Sequence, residues 1–128
     1  MAKVSVVPDQ IEPRKTLKAD RYLLEVQKAT MGTSPKGNQT LKLEMIVIDG
    51  PDQEWGSPNG YGVPKTIWVD PKSRDLNNVL EAFEIPVGSD GWDPDDFAAK
   101  QAWGSVTVRM YDGDPINDVR KFFPVGIA

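Results

Sequence analysis

The sequence predicts a small, mainly β domain in which five strands close as a barrel and one helix sits between the third and fourth. Three observations predict it. Apolar and polar residues alternate in several short runs, the period of a half-buried strand. Glycine, proline, asparagine and aspartate cluster between those runs. Helical spacing is clear in one segment only, near the middle of the chain. At 128 residues the chain suits one domain with one core.

Residues 1–20 hold Pro8, Pro13 and the cations Arg14, Lys15 and Lys18 without either periodicity. They read as an extended arm, with at most a short strand near Val4–Val7, ahead of a domain over 21–128. From Arg21 to Ala29, Tyr22, Leu24 and Val26 alternate with Leu23, Glu25 and Gln27, which predicts strand one. TSPKGN over 33–38 is turn chemistry, with Gly37 and Asn38 able to supply positive φ. Gln39 to Asp49 sets Leu41, Leu43, Met45 and Val47 on one face and reads as the longest strand. Residues 50–64 contain four glycines and three prolines, so they form a long loop carrying Trp55 and Tyr61. Lys65 to Val69 is a short third strand.

In SRDLNNVLEAFEI, Leu76, Val79, Leu80 and Phe83 recur at helical spacing, with Ser73 or Asp75 as cap and Pro86 beyond the end. A second, weaker helix is expected over Pro94 to Gln101, capped by Asp93. Trp103 to Tyr111 alternates as strand four, DGDPIND over 112–118 reads as a turn, and Val119 to Phe123 is a last short strand stopped by Pro124. Five strands with a helix between the third and fourth is the element order of an OB-fold barrel, whose ligand face lies on strands two and three. A β-sandwich of similar strand count is the alternative, and the helix placement favours the barrel.

Composition narrows the function classes. The chain has no cysteine and no histidine, which removes thiolate chemistry, the commonest general base and the commonest transition-metal ligand. Binding, not catalysis, is the expectation, with no cofactor and no metal. Asp90, Asp93, Asp95 and Asp96, with Asp112, Asp114 and Asp118, invite a cation reading, but DGDPIND lacks the glycine at position six and the terminal glutamate of a calcium loop. The first group is accounted for by helix capping. No glycine pattern matches a phosphate-binding loop. No apolar run reaches the ~18 residues of a membrane span, and the first residues lack a secretory apolar segment, so a cytoplasmic protein without membrane contact is expected. Charge is uneven: residues 1–48 carry eight Lys/Arg against five Asp/Glu, and residues 49–128 carry seven against fourteen.

The segments YLLEVQKATMGTSPKGNQTLKLEMIVIDG (22–50), TIWVDPKSRDLNNVLEAFEIP (66–86), DPDDFAAKQAWGSVTVRMYDG (93–113) and DVRKFFP (118–124) resemble phage-encoded single-stranded-DNA-binding proteins of the OB-fold type, over about residues 20–124. The markers are the Ser-Pro-Lys-Gly-Asn turn, the mid-chain helix, the acidic stretch before strand four and a last strand ending in proline. The chain departs from many such proteins in closing on FFPVGIA without an acidic tail. The resemblance implies single-stranded DNA as partner, work in replication or recombination beside the proteins of those processes, and no enzymatic activity. A second copy of the chain is a further admissible partner.

Sequence-tolerant capture of a single strand needs aromatic faces for bases and cations for phosphates. If Leu43, Ile67 and Val108 face inward, then Lys42, Trp68, Arg109 and Tyr111 fall on the opposite face. Lys36 in the first turn, Lys65 at the mouth of strand three, and Trp55 and Tyr61 in the long loop extend that set. Each also has a bland reading: Trp68 and Trp103 can cover a small second core, Trp55 and Tyr61 can pack the loop, and the lysines can be ordinary solvated charges. The excess of acid over 49–128 points to the other class, a protein-interaction or structural β module of a phage.

Overall fold

A computed structural model describes residues 16–70 and 72–127 of the chain. The elements are β1 (Asp20–Thr33), β2 (Gln39–Asp49), β3 (Gly62–Trp68), α1 (Arg74–Ala82), a 3-10 turn at Pro94–Phe97, β4 (Gln101–Tyr111), β5 (Asp114–Phe123) and a last 3-10 turn at Val125–Ile127. The strands form one sheet in the order β3-β2-β1-β4-β5, with every neighbouring pair antiparallel. It is a mainly β fold with a five-stranded antiparallel sheet. The described residues contain no ladder between β3 and β5, so the sheet is open along that seam.

Strand β1 shapes the sheet. At 14 residues it is longer than β2, which has 11, against the expectation that Gln39–Asp49 would be the longest. Its first part pairs with β4 from Asp20 to Glu25, and from Leu23 onward it pairs with β2 through to Thr33. Serving two partners at different heights requires a bend, and the register shifts at Leu23/Leu24 and Val26/Lys28 supply it. The β1–β2 turn follows the residue chemistry: the Gly37 N–H donates to the Ser34 carbonyl at 2.9 Å, and Gly37 holds φ of 86°.

Several boundaries differ from the sequence reading, β1 running on to Thr33 and β4 starting at Gln101 among them. β3 begins at Gly62, because an edge strand needs ladder donors on one side only and so tolerates Pro64. β5 begins at Asp114, not Val119: the turn contracts to Asp112 and Gly113, whose φ values of 54° and 85° fit a two-residue hairpin of type I′. The second helix is one 3-10 turn, Pro94–Phe97, capped by the Asp93 carboxylate on the Asp95 N–H. It stops there because the Ala99 N–H and the Lys100 carbonyl are taken by Val26 of β1. Packing begins at Leu17, ahead of the expected start at Arg21. Leu17 is fully buried, and its N–H and carbonyl both bond to the Asn117 side chain at 2.8 Å. Lys18 is exposed, and the expected strand at Val4–Val7, with Arg14 and Lys15, lies outside the described residues.

The core gathers Leu24, Val26, Leu41, Leu43, Val47, Val63, Ile67, Ala102, Val106, Val119 and Phe122 from the sheet and Leu76, Val79 and Phe83 from the helical segment. Helix α1 is fixed to the outer edge of β5 by Asn78, which donates to the Phe122 carbonyl at 2.9 Å and accepts the Phe122 N–H at 2.7 Å. Those two bonds satisfy edge groups that a sixth strand would otherwise meet. Phe83 then packs on Phe122 and Phe97, with ring centroids 5.3 and 5.8 Å apart.

Two positions expose the tolerances. A Cβ on Gly104 would lie 2.7 Å from Leu24 Cδ1 and 3.1 Å from Val119 Cγ1. Gly104→Ala is expected to destabilise the fold by about 1–3 kcal/mol, read as a lowered urea midpoint at unchanged m-value. Tyr22 is enclosed, its hydroxyl donating to the Lys18 carbonyl at 2.7 Å and accepting from Gln53 Nε2 at 2.8 Å. Burial, offset in part by the Gln53 bond and aided by Asp20, pushes its pKa above the ordinary tyrosine value. The neutral phenol is therefore favoured on folding, and its contribution is present below the unfolded pKa of about 10 and lost as pH rises through the folded value. Denaturation curves from neutral to alkaline pH are expected to show a steeper alkaline loss in the wild type than in Tyr22→Phe.

Candidate functional site

Residues that pair β4 with β1 end at Val106, so beyond that point β4 has β5 as its only strand partner among the described residues. Residues 107–118 therefore project as a two-stranded ribbon past the core. This corrects one expectation: Val108 is not an inward core residue but is 42% exposed, since no β1 residue lies beside it to bury it. Leu43 and Ile67 do face inward, fully buried.

Between the ribbon and the edge strand β3 runs a groove of about 480 Å³. One wall is Tyr61 and residues 62–66 of β3; the other is Arg109 of β4 with Ile116, Asn117 and Asp118 of β5. Lys65 crosses it. Its Nζ lies 3.1 Å from Asp118 Oδ1, with the lysine side chain mostly covered and the aspartate about a third exposed. Asp118 also accepts the Val119 N–H at 3.0 Å. A half-buried ion pair thus bridges the two strand edges where a ladder is missing. Arg109 stands exposed at the rim and makes no ion pair among the described residues.

At the β3 end, Trp55 and Tyr61 stack at 6.0 Å with 29° between their planes. The long loop that carries them is held from several sides. Gln53 and Gly56 exchange backbone bonds, Gly60 N–H reaches Val47, and Gln53 ties the loop to Tyr22 and to the Lys18 N–H. Tyr61 itself packs against the core.

The sequence-predicted residues sort into two groups. Tyr61, Lys65 and Arg109 line the groove, with Trp55 behind Tyr61 and Tyr111, exposed, further along the ribbon near its tip. Trp68, Lys42 and Lys36 lie apart from it. Trp68 is 52% exposed and sits opposite Thr40, one outward rung from Lys42 opposite Thr66. Lys42 reaches Glu44 at 3.9 Å, an exposed pair of little energetic weight. Lys36 is exposed in the β1–β2 turn at the same end of the sheet.

Sequence reading missed Asn117 and Asp118, because DGDPIND was assigned to a turn. The Asp-Gly pair is itself the two-residue hairpin signal, and taking it as such starts β5 at Asp114. Phe123 was also missed as a surface residue. It holds the Arg21 guanidinium 4.4 Å and the Lys121 ammonium 5.4 Å from its ring centre.

The acid excess is local. Residues 70–96 carry eight Asp/Glu against two Lys/Arg. That segment contains α1, which is clamped at Phe122, four residues along β5 from Asp118 and so about 13 Å away. Among the described residues that line the groove the sole carboxylate is Asp118, already opposite Lys65. Among the described residues no three Asp or Glu converge to hold a metal ion. No described helix is long and apolar enough to cross a membrane.

No protein-family model matches the chain, and no curated protein matches it.

The Lys65–Asp118 bridge gives a measurable expectation. In a double-mutant cycle with Lys65→Met and Asp118→Asn, unfolding in urea is expected to report a coupling of about 1 kcal/mol or less, since Asp118 keeps partial access to water.

Proposed function

We propose that the chain binds single-stranded DNA with little sequence preference, and that it protects or presents single strands in phage replication or recombination. The observation that carries this reading is one groove lined by Tyr61, with Trp55 stacked behind it, and by the cations Arg109 and Lys65, the latter shared with Asp118. Bases find faces and phosphates find charge within one channel. Trp68 and Lys42 extend the same chemistry onto the outer surface of β2 and β3. Residues 70–96 hold eight of the chain's nineteen acidic side chains, and Asp118, which lines the groove, is paired with Lys65.

The strand order β3-β2-β1-β4-β5 with α1 between β3 and β4 supports reading the fold as an OB-fold-like barrel. Its seam between β3 and β5 is bridged by Lys65 and Asp118 in place of a backbone ladder. The protein acts by binding, without catalysis, in the cytoplasm of the infected cell. Replication or recombination proteins are its further partners.

A second reading, a protein-interaction or structural β module, is favoured by one feature: Val108, Met110 and Tyr111 are all exposed on the ribbon. A stable protein partner that survives nuclease treatment in a pull-down supports that reading.

Titration with oligo-dT is expected to quench tryptophan fluorescence at low salt, with affinity falling steeply as salt rises and duplex DNA binding more weakly. Trp68→Ala is expected to weaken binding by about 1–3 kcal/mol with little change in salt slope, and Lys42→Ala to reduce the slope by up to about 0.7. Absence of quenching at low salt overturns the reading.

A further inference from the structure

The outward rungs of the β4–β5 ribbon form one track. From the tip they run Tyr111 opposite Asp114, Arg109 opposite Ile116 and Thr107 opposite Asp118. After the register shift at Ser105/Val106 they continue as Ser105 opposite Lys121 and Trp103 opposite Phe123. The eight steps along β4 cover about 26 Å. The groove's Arg109 therefore lies on the same surface as the aromatic pair at the far end.

That far end has the composition of an anion site with a stacking platform. Pairing across β1 and β4 places Arg21 beside Ser105 and Leu23 beside Trp103, so Arg21 and Lys121 flank one row and Leu23, Trp103 and Phe123 fill the next. Arg21 and Lys121 are exposed, and Trp103 and Phe123 are half-buried. Among the described residues neither cation pairs with a carboxylate; both are drawn over the Phe123 ring instead. The nearest acids are occupied. Asp20, next to Arg21, accepts the Arg21 N–H at 2.7 Å, Asp49, opposite Leu23 on β2, accepts the Gly50 N–H at 2.9 Å, Glu25 accepts from Gln27 and Gln101, and Asp118 faces Lys65. Arg120, the extra residue at the register shift, adds a third exposed cation. Two exposed cations thus share one ring, neither with a carboxylate partner among the described residues.

We infer that the Arg21–Trp103–Phe123–Lys121 patch is a second nucleotide-contact site, and that a bound single strand leaving the groove follows the outer face of β4 and β5 to it. Phosphates lie between Arg21 and Lys121, and a base stacks over the Arg21–Phe123 pair. The occupant is single-stranded nucleic acid, so the inference rests on the binding reading above; what it adds is a path over β4 and β5, away from the β2–β3 surface. Charge complementarity with a polyanion and continuity with Arg109 carry it.

The test titrates the full chain and its Arg21→Gln/Lys121→Gln variant with oligo-dT of about 2 and about 24 nucleotides, at several salt concentrations. The groove alone accommodates the short strand; the long one reaches the patch. The variant is expected to bind the short oligomer as the wild type does and the long one about tenfold more weakly, with a salt slope smaller by about 1.4. Phe123→Leu, which keeps an apolar side chain in the row, is expected to lose affinity for the long oligomer with the salt slope unchanged. Far-ultraviolet circular dichroism verifies that both variants are folded. Unchanged binding of the long oligomer, or equal weakening of both lengths, overturns the path while leaving the groove reading intact. Failure of the wild type to bind either length overturns both.

Discussion

Everything in this fold follows from the demand placed on β1, which must pair along one edge with β2 and along the other with β4 at different heights. A flat strand cannot do so without leaving half of its residues unpaired. Two register shifts bend it, and the sheet coils around a core that α1 closes from one end through Asn78 and Phe83. The same coiling brings the outer strands β3 and β5 toward each other without aligning their backbones. A seam results, and at that seam the edge groups of two strands, one ion pair and several side chains line a single channel.

The chemistry of the channel depends on where the core stops. β1 supports β4 only as far as Val106, so the apolar residues beyond, Val108 and Met110, gain no burial and stay exposed. Among the described residues the ribbon they belong to is held by its own ladder, by the Lys65–Asp118 pair and by Asn117, whose side chain bonds Leu17 on one side and the Thr107 carbonyl on the other. Residues 108–114 toward its tip are exposed and have little burial to hold them in place. That stretch also carries Arg109 and Tyr111. On the proposed reading, the ribbon trades stability for reach.

Charge is distributed by element. The N-terminal half is basic in sequence, yet the cations that face one another come from both halves: Lys65 and Arg109 at the groove, Arg21 and Lys121 at Phe123. The acid collects on the helical segment between β3 and β4, where Ser73 and Asp93 serve as caps and the remainder meets solvent. A net charge of −4 is therefore compatible with a surface that attracts anions, because local arrangement and not the total sets the field within a Debye length.

By itself the sequence determined the strands, the helix that Ser73 caps as one of its two candidate caps, the inward faces of β2 and β3, and the outward face that Trp68 and Lys42 share, all of which are set by period-two or period-3.6 patterning within one segment. It also singled out Tyr61, Lys65 and Arg109. That these three share a groove, that Lys65 turns to Asp118, and that Arg21 and Lys121 meet at Phe123 were decided only by the tertiary structure, since each contact joins residues whose separation in sequence carries no periodic signal. The start of β5 and the exposure of Val108 belong to the same class. An alternating run looks alike whether or not a neighbouring strand lies beside it, and burial is conferred by that neighbour, not by the run.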